Sequence, residues 1–365
     1  MDNMKTKSVL IGISGGVDSA VAASILKEKG FHVEGLYIYN GFPTRAEEDA
    51  VNVAKRLSIP LHRADISESF KKYIVDYFIS EYLAARTPNP CIVCNKKIKF
   101  KYLLEEAKKR GIDYIATGHY ARIEDTGGEN GFRLKKGTDK TKDQSYFLFE
   151  LGQKELSKII FPNGDKTKEE IKNIARDLGF GSLTERESQE ICFIPDNNYR
   201  GFIENCTKST IFHPGNIVDR KGNIVGSHRG IHSVTIGQRK GLNIASERPY
   251  YVLEIERDKN EVLVGREEDQ FFDGLIAGNV SWISPDYAAA GDLKVTTHIR
   301  YRHRGVESEI TIQDEQEEGK ALDKNSVSVR FETPQKAVAP GQAAVFYQGD
   351  YLIGGGWIEK GVRVD

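Results

Sequence analysis

A run of strand-forming residues, SVLIGI (8–13), breaks into a glycine-rich turn, SGGVDS (14–19), and re-forms as a helical pattern from about Asp18 to Lys29 that Gly30 stops. This join constrains the fold more than any other stretch, because it commits the chain to a strand-to-helix step. The step then repeats. FHVEGLYIY (31–39) reads as a strand, AEEDAVNVAKRLSI (46–59) as a helix, and PLHRADIS (60–67) opens as a strand. Phe70 to Ala85 is helical, NKKIKFKYLLEEAKKRG (95–111) is a helix closed by glycine, and DYIATGHYARI (113–123) is a strand entering a loop. Strands alternating with helices predict an α/β domain on a doubly wound parallel sheet. TKEEIKNIARDLGF (167–180) adds a helix with a capping box from Thr167 to Glu170 and Gly179 at its end.

After about residue 208, short alternating strands take over, separated by the hairpin signals DRKGN, RDKN and YQGDY. The predicted division is 1–207 for the α/β domain, 208–275 for a small β-rich module and 276–365 for a second all-β module, a small β-barrel. The acidic run DEQEEGKALDKN (314–325) reads as a solvated hairpin loop. A length of 365 residues suits two or three domains. No apolar run reaches about 18 residues, so no membrane span is expected. The N-terminal apolar stretch is too short and too soon glycine-rich for a signal peptide. Four cysteines are too few for a disulfide framework at this size, which points to a reducing, cytoplasmic compartment. A formal net charge of −1 means that a nucleic-acid partner must be gripped by local basic patches.

In SGGVDS, glycines let the backbone approach a ligand, and the amides opening a helix form an anion site. The G-K-[ST] ending of a Walker A loop is absent, and so is the G-x-G-x-x-G dinucleotide pattern. Asp18 inside such a loop repels phosphate unless a divalent cation bridges them, which points to Mg2+-bound pyrophosphate as a leaving group. The plainer alternative is a tight turn into a helix. The loop resembles that of the PP-loop ATP pyrophosphatase superfamily, whose members adenylate a carbonyl and release pyrophosphate. The resemblance implies that Gly12, Ile13, Ser14, Gly15, Gly16, Val17, Asp18 and Ser19 hold ATP. It also implies that Gly118 approaches the adenosine and that Ile38 packs near it.

Two of the cysteines, Cys91 and Cys94, sit in RTPNPCIVCNKKIKF (86–100), and Cys192 sits in SQEICFIPD. Cys94 falls at the start of the predicted helix 95–111, where free amides and the macrodipole lower a thiol pKa. Two cysteines so placed fit a persulfide relay, in which one carries sulfur and the other resolves it. Taken alone, Cys192 reads equally well as a buried apolar cysteine. A PP-loop ligase with a zinc knuckle is a rival, but it needs further ligands that no second C-x-x-C supplies. A non-catalytic RNA-binding protein would not need Asp18.

TPNPCIVCNKKIKF, YIATGHYARI, KDQSYFLF, SQEICFIPD, HSVTIGQRKGL and PGQAAVFY follow SGGVDS in order. Together they resemble the tRNA-specific 2-thiouridylase family across essentially the whole chain. The resemblance implies ATP-dependent thiolation at C2 of a tRNA wobble uridine, with Cys192 taking sulfur from a persulfide donor protein and Cys94 resolving it. It further implies tRNA contacts at Asn89, Pro90, Cys91, His119, Lys142, Asp143, Gln144, Arg300, Tyr301 and Gln342. The residues support part of this. In THIRYRHRG, His298, Arg300, Arg302 and Arg304 fall on one face if the stretch is a strand, a basic stripe suited to phosphates. Lys96, Lys97, Lys99 and Lys101 read as a surface charge run, and Cys206 as structural or incidental. The chain departs from the family pattern at Cys91, where members typically carry Asp. Cys91 thus stands in for that residue, or serves as a spare resolving thiol, or joins Cys94 and Cys192 in holding a [4Fe-4S] cluster.

Overall fold

The computed structural model describes residues 6–127, 131–185, 191–194, 197–207, 212–288, 291–312 and 325–364. Most of the acidic run 314–325, the SQE and PD ends of SQEICFIPD, and residue 208 lie outside the described residues. In chain order the α/β part comprises β1 (Ser8–Gly12), α1 (Val17–Glu28), β2 (His32–Tyr39), α2 (Ala46–Leu57), β3 (Leu61–Asp65), α3 (67–83), α4 (90–110), β4 (Tyr114–Ala116), β5 (Ala121–Asp125), β6 (Phe132–Lys136), β7 (Ile159–Ile160) and α5 (Lys168–Asp177).

Val9, Leu10 and Ile11 are fully buried because β1 lies mid-sheet, in the order β3-β2-β1-β4-β7, with every pairing parallel. Alternate β1 side chains serve two cores. Val9 and Ile11 pack with Ala20, Val53 and Ile171 from α1, α2 and α5. Leu10 packs with Phe100 and Leu103 of α4 on the other face. The strand order reverses between β1 and β4, and a ligand crevice forms at the carboxyl ends of strands at such a switch point. SGGVDS leaves β1 there, and ATGHY leaves β4.

Two helices contain widened turns with i→i+5 geometry, Lys71–Val75 in α3 and Asn95–Lys99 in α4. The helix expected to start at Asn95 begins at Pro90, because proline suits the first helical position and needs no amide partner there.

Six strands close the C-terminal barrel: Phe271–Trp282, Leu293–His298, Val306–Ile312, Val327–Lys336, Ala343–Gln348 and Tyr351–Val362. Phe271–Trp282 pairs with both Val327–Lys336 and Tyr351–Val362, which closes the ring. The expected boundary at 275/276 therefore falls inside a strand whose residues are paired on both sides. The β5–β6 hairpin of the α/β part joins the barrel sheet through Lys135 and Leu134, opposite Tyr351 and Leu352. A separate four-stranded sheet, formed by Gly215–Asp219, Ile224–His228, Tyr251–Glu256 and Glu261–Gly265, makes the central module. The basic stripe is corrected. The strand stops at His298, Ile299 is buried, and Arg302 has φ +64°, so the three arginines project from a turn and not from a strand face. No helix among the described residues is long and apolar enough to cross a membrane.

The barrel grips the approach to α4. Gln342 Nε2 donates to the carbonyls of Thr87 and Pro88, at 3.1 and 3.2 Å, and Thr87 N donates to Pro340 O at 2.8 Å. At Gly341, with φ +89°, a Cβ would sit 2.9 Å from Thr87 O. Gln342→Ala leaves both carbonyls unpaired, at about 1–3 kcal/mol. Amide exchange at Thr87 is expected to quicken about tenfold or more, read by hydrogen-exchange mass spectrometry, with exchange in β1 unchanged.

Candidate active site

The loop of residues 13–16 turns on Gly15, whose φ of +77° and whose approach to Ala46 O (2.4 Å from a built Cβ) exclude a side chain. Gly16 caps α1 without a side-chain partner. Ser19 Oγ donates to Gly16 O at 2.9 Å and meets Ser14 N at 3.2 Å, which braces the turn from inside. Ile13 is buried beneath it, and Val17 is buried in the first turn of α1. Gly12 ends β1, and Ile38 lies near the end of β2, half-buried between two cores. Gly118 has a local reason to be glycine. A Cβ there would lie 2.7 Å from Asp18 C and 2.9 Å from Ser19 N, so ATGHY packs directly on the first turn of α1.

Asp18 is not bare. Its Oδ1 accepts from Lys168 Nζ at 2.5 Å and from Tyr120 Oη at 2.6 Å. Burial and the Asp18 charge push the Tyr120 hydroxyl far up, so it stays a donor. Among the described residues Oδ2 accepts no hydrogen bond, and this oxygen would hold a Mg2+ ion, which when bound would shield triphosphate charge. Asn163, fully buried, donates to Asp18 O at 2.9 Å and Gly118 O at 3.1 Å, locking the two crevice segments together.

The second pole is the cysteines. Phe193 is nested among Phe70, Phe78 and Phe202, with ring centroids 5.4–5.6 Å away, and this anchor carries Cys192 to α4. Cys94 packs on the same cluster. The thiols of Cys91, Cys94 and Cys192 lie near enough that charge on one is felt at another, and Lys99 acts on all three. No disulfide joins them. The lowered Cys94 pKa expected from a helix start is overturned. Cys94 is the fifth residue of α4, beyond the turn where the dipole acts, and burial pushes its thiol up to about 12. Solvent reaches Cys192, yet crowding protein atoms push its thiol up to about 11, while Lys99 pulls the other way. Cys91 occupies the first turn and is also pushed up by burial. Among the described residues no set of three His, Cys, Asp or Glu side chains is grouped closely enough to hold a single metal ion.

The poles are joined through His119, next to Gly118. His119 is buried, stacks on Phe100, and its Nε2 lies 3.4 Å from Lys99 Nζ. An ammonium can only donate, so Nδ1 carries the imidazole proton and donates to Thr117 Oγ1 at 2.7 Å. Burial, then the Lys99 charge, hold His119 well below its usual pKa and keep it neutral.

Several residues expected at tRNA face inward. Asn89 and Pro90 are buried, and Cys91 is half-buried. Asp143 accepts from Gly137 N and from Ser145 N and Oγ, which ties its own loop together, and Gln144 Oε1 accepts from Tyr120 N at 3.1 Å, which braces the ATGHY segment. Gln342 is spent on the clamp described above. Tyr301 packs on Phe147, centroid to centroid 4.6 Å. Lys142 and Arg300 are exposed, though Arg300 donates to Lys336 O at 3.3 Å.

Three family models match the chain in succession: a tRNA methyl transferase HUP domain over residues 7–196, a tRNA methyl transferase PRC-barrel domain over 200–266, and an aminomethyltransferase beta-barrel domain over 272–358. A tRNA-specific 2-thiouridylase MnmA 2 from Syntrophus aciditrophicus is 52% identical over 91% of this chain and 100% of the relative. A tRNA-specific 2-thiouridylase MnmA from Lachnoclostridium phytofermentans is 46% identical over 97% and 100%. The chain belongs to the tRNA-specific 2-thiouridylase family. Within that framework the sequence reading missed Lys99, Tyr120, Asn163 and Lys168. Lys99 carried one usable signal, its place in the same helix as Cys94, and was instead read as surface.

A thiol near pH 11 is only about one part in a thousand ionised at pH 8. Alkylation of Cys192 by iodoacetamide, read by peptide mass spectrometry, is therefore expected to rise about tenfold per pH unit from 7 to 10 without a plateau. Lys99→Met is expected to slow it, because the cation favours the thiolate.

Proposed function

We propose that the protein thiolates C2 of the wobble uridine of tRNA in an ATP-dependent reaction, using a two-cysteine relay. The observation that carries this reading is the joining of two chemistries in one crevice: a loop for an adenylating nucleotide and a trio of thiols around Lys99, linked through Gly118 and His119. Family membership supports it, since the relatives named above are tRNA-specific 2-thiouridylases.

The C2 oxygen attacks the α-phosphorus of ATP, the bond to the bridging oxygen breaks, and pyrophosphate leaves with the electron pair. The terminal sulfur of a Cys192 persulfide, loaded by a persulfide-bearing donor protein, then attacks C2 and AMP leaves. Cys94, as thiolate, attacks the Cys192 sulfur. The thiouridine sulfur departs with the electron pair, and a thiol reductant reopens the resulting Cys94–Cys192 disulfide. Lys99 favours each sulfur anion against the burial that opposes it. Exposed Arg300, Arg302 and Lys142 grip phosphate, Tyr301 supports the turn, and Asn89, Pro90 and Cys91 shape the base pocket from below. No step runs through an iron–sulfur cluster.

Loss of 2-thiouridine derivatives from tRNA of cells lacking the protein, restored by the wild-type gene, tests the activity by nucleoside mass spectrometry. Unchanged 2-thiouridine would refute it. Cys94→Ser and Cys192→Ser are each expected to lower thiolation about a thousandfold or more while leaving pyrophosphate release intact. Cys91→Asp is expected to keep most activity in air; an inactive variant, beside a brown, iron-containing wild type purified without oxygen, would favour the cluster. Arg300→Ala is expected to reduce the salt slope of tRNA binding by about one unit, checked by filter binding across ionic strengths.

A further inference from the structure

The nucleotide loop carries a carboxylate and no lysine. A phosphate chain entering it meets Asp18 before any cation of the loop's own, and the glycines and first-turn amides supply only partial positive charge. The missing cation comes from residue 168, some 150 residues away in sequence. Lys168 Nζ lies 2.5 Å from Asp18 Oδ1 and 5.6 Å from the centroid of the Tyr120 ring, and its side chain is only 22% exposed.

The placement is built. Lys168 is the first residue of α5, ten residues long, so the ammonium is carried at the helix's N-terminal end. The Thr167–Glu170 capping box holds that end, with Thr167 N donating to Glu170 Oε2 at 2.6 Å. Lys168 N donates to Asp139 Oδ2 at 3.0 Å. Asn163, earlier in the same segment, pins it to Asp18 O and Gly118 O. The segment 161–170 is thus a strap across the loop that presents one ammonium to it.

We propose that Lys168 is the phosphate-binding cation of this loop. In the free enzyme it neutralises Asp18, and with nucleotide bound it contacts the β- and γ-phosphates, the part that leaves as pyrophosphate, while the Asp18 carboxylate turns to the metal ion. This deepens the proposed ATP-dependent reaction and rests on it. Lys168 then acts on the leaving group and not on the adenosine or the base.

The test compares equilibrium binding of Mg-ATP and of AMP, and the KM and kcat of pyrophosphate release, in wild type, Lys168→Met, Lys168→Arg and Lys172→Met as a control on the same helix. Lys168→Met is expected to weaken Mg-ATP binding by about 10–100-fold, as for loss of a charge-assisted contact, with AMP binding within about twofold of wild type. Lys168→Arg, which keeps the charge, is expected to recover much of the loss, and Lys172→Met to match wild type. Equal losses for ATP and AMP, with a lowered thermal midpoint, would overturn the proposal in favour of a purely structural ion pair. Wild-type affinity for ATP in Lys168→Met would overturn it too. A wild type that binds no ATP would instead refute the proposed function itself, which separates the two failures.

Discussion

A carboxylate placed inside an anion-binding loop is the constraint around which this structure is organised. Asp18 sits where phosphate must also come, and its charge has to be balanced without closing the loop to a ligand. The protein balances it from a distance, with Lys168 and Tyr120 converging on one oxygen and leaving the other without a protein donor among the described residues. Gly118 has no side chain because the first turn of α1 must lie against it, and Asn163 gives up a buried amide to hold both backbones. Each of these choices follows from keeping one charge in one place.

The thiols pose the reverse problem. They are crowded, and burial raises all three against ionisation. A protonated thiol is a weak nucleophile and is poorly oxidised, so crowding holds the cysteines quiet. Lys99 opposes that from within the helix that carries Cys91 and Cys94. His119, kept neutral and with its proton directed at Thr117, accepts from Lys99 without competing for charge. Charge balance at the thiols and backbone packing at the loop are therefore two ends of one short segment, ATGHY. The barrel contributes from outside by holding Thr87 and Pro88, which fixes where α4 begins and so where its cysteines stand.

Much of this was legible. Parallel strands and helices were readable from hydrophobic periodicity, because buried strands and amphipathic helices must repeat it. The capping box at Thr167 was readable because its chemistry is local, and it forms as expected. The errors share a cause. The sequence places the start of α4 at Asn95 because the Pro88-Asn89-Pro90 punctuation looks like a loop, whereas Pro90 opens the helix. The arginines of THIRYRHRG take strand period in the sequence because the preceding residues are a strand, but the strand ends at His298 and the chain turns, with Arg302 at φ +64°. Asp143, Gln144 and Gln342 are polar residues that look available for RNA, and backbone donors and acceptors claim them first.

The sequence by itself determined the fold class, the glycine loop, the family and the identity of the cysteines, because these rest on patterns within a few residues or on motifs in fixed order. Only the tertiary structure decided which charges meet. Lys168 reaches Asp18 across 150 residues, Phe193 draws Cys192 to Cys94, and Lys99 turns from surface lysine into the cation of the thiol cluster. Electrostatic energy depends on separation in space and on the surrounding dielectric, and neither is written in the order of residues along the chain.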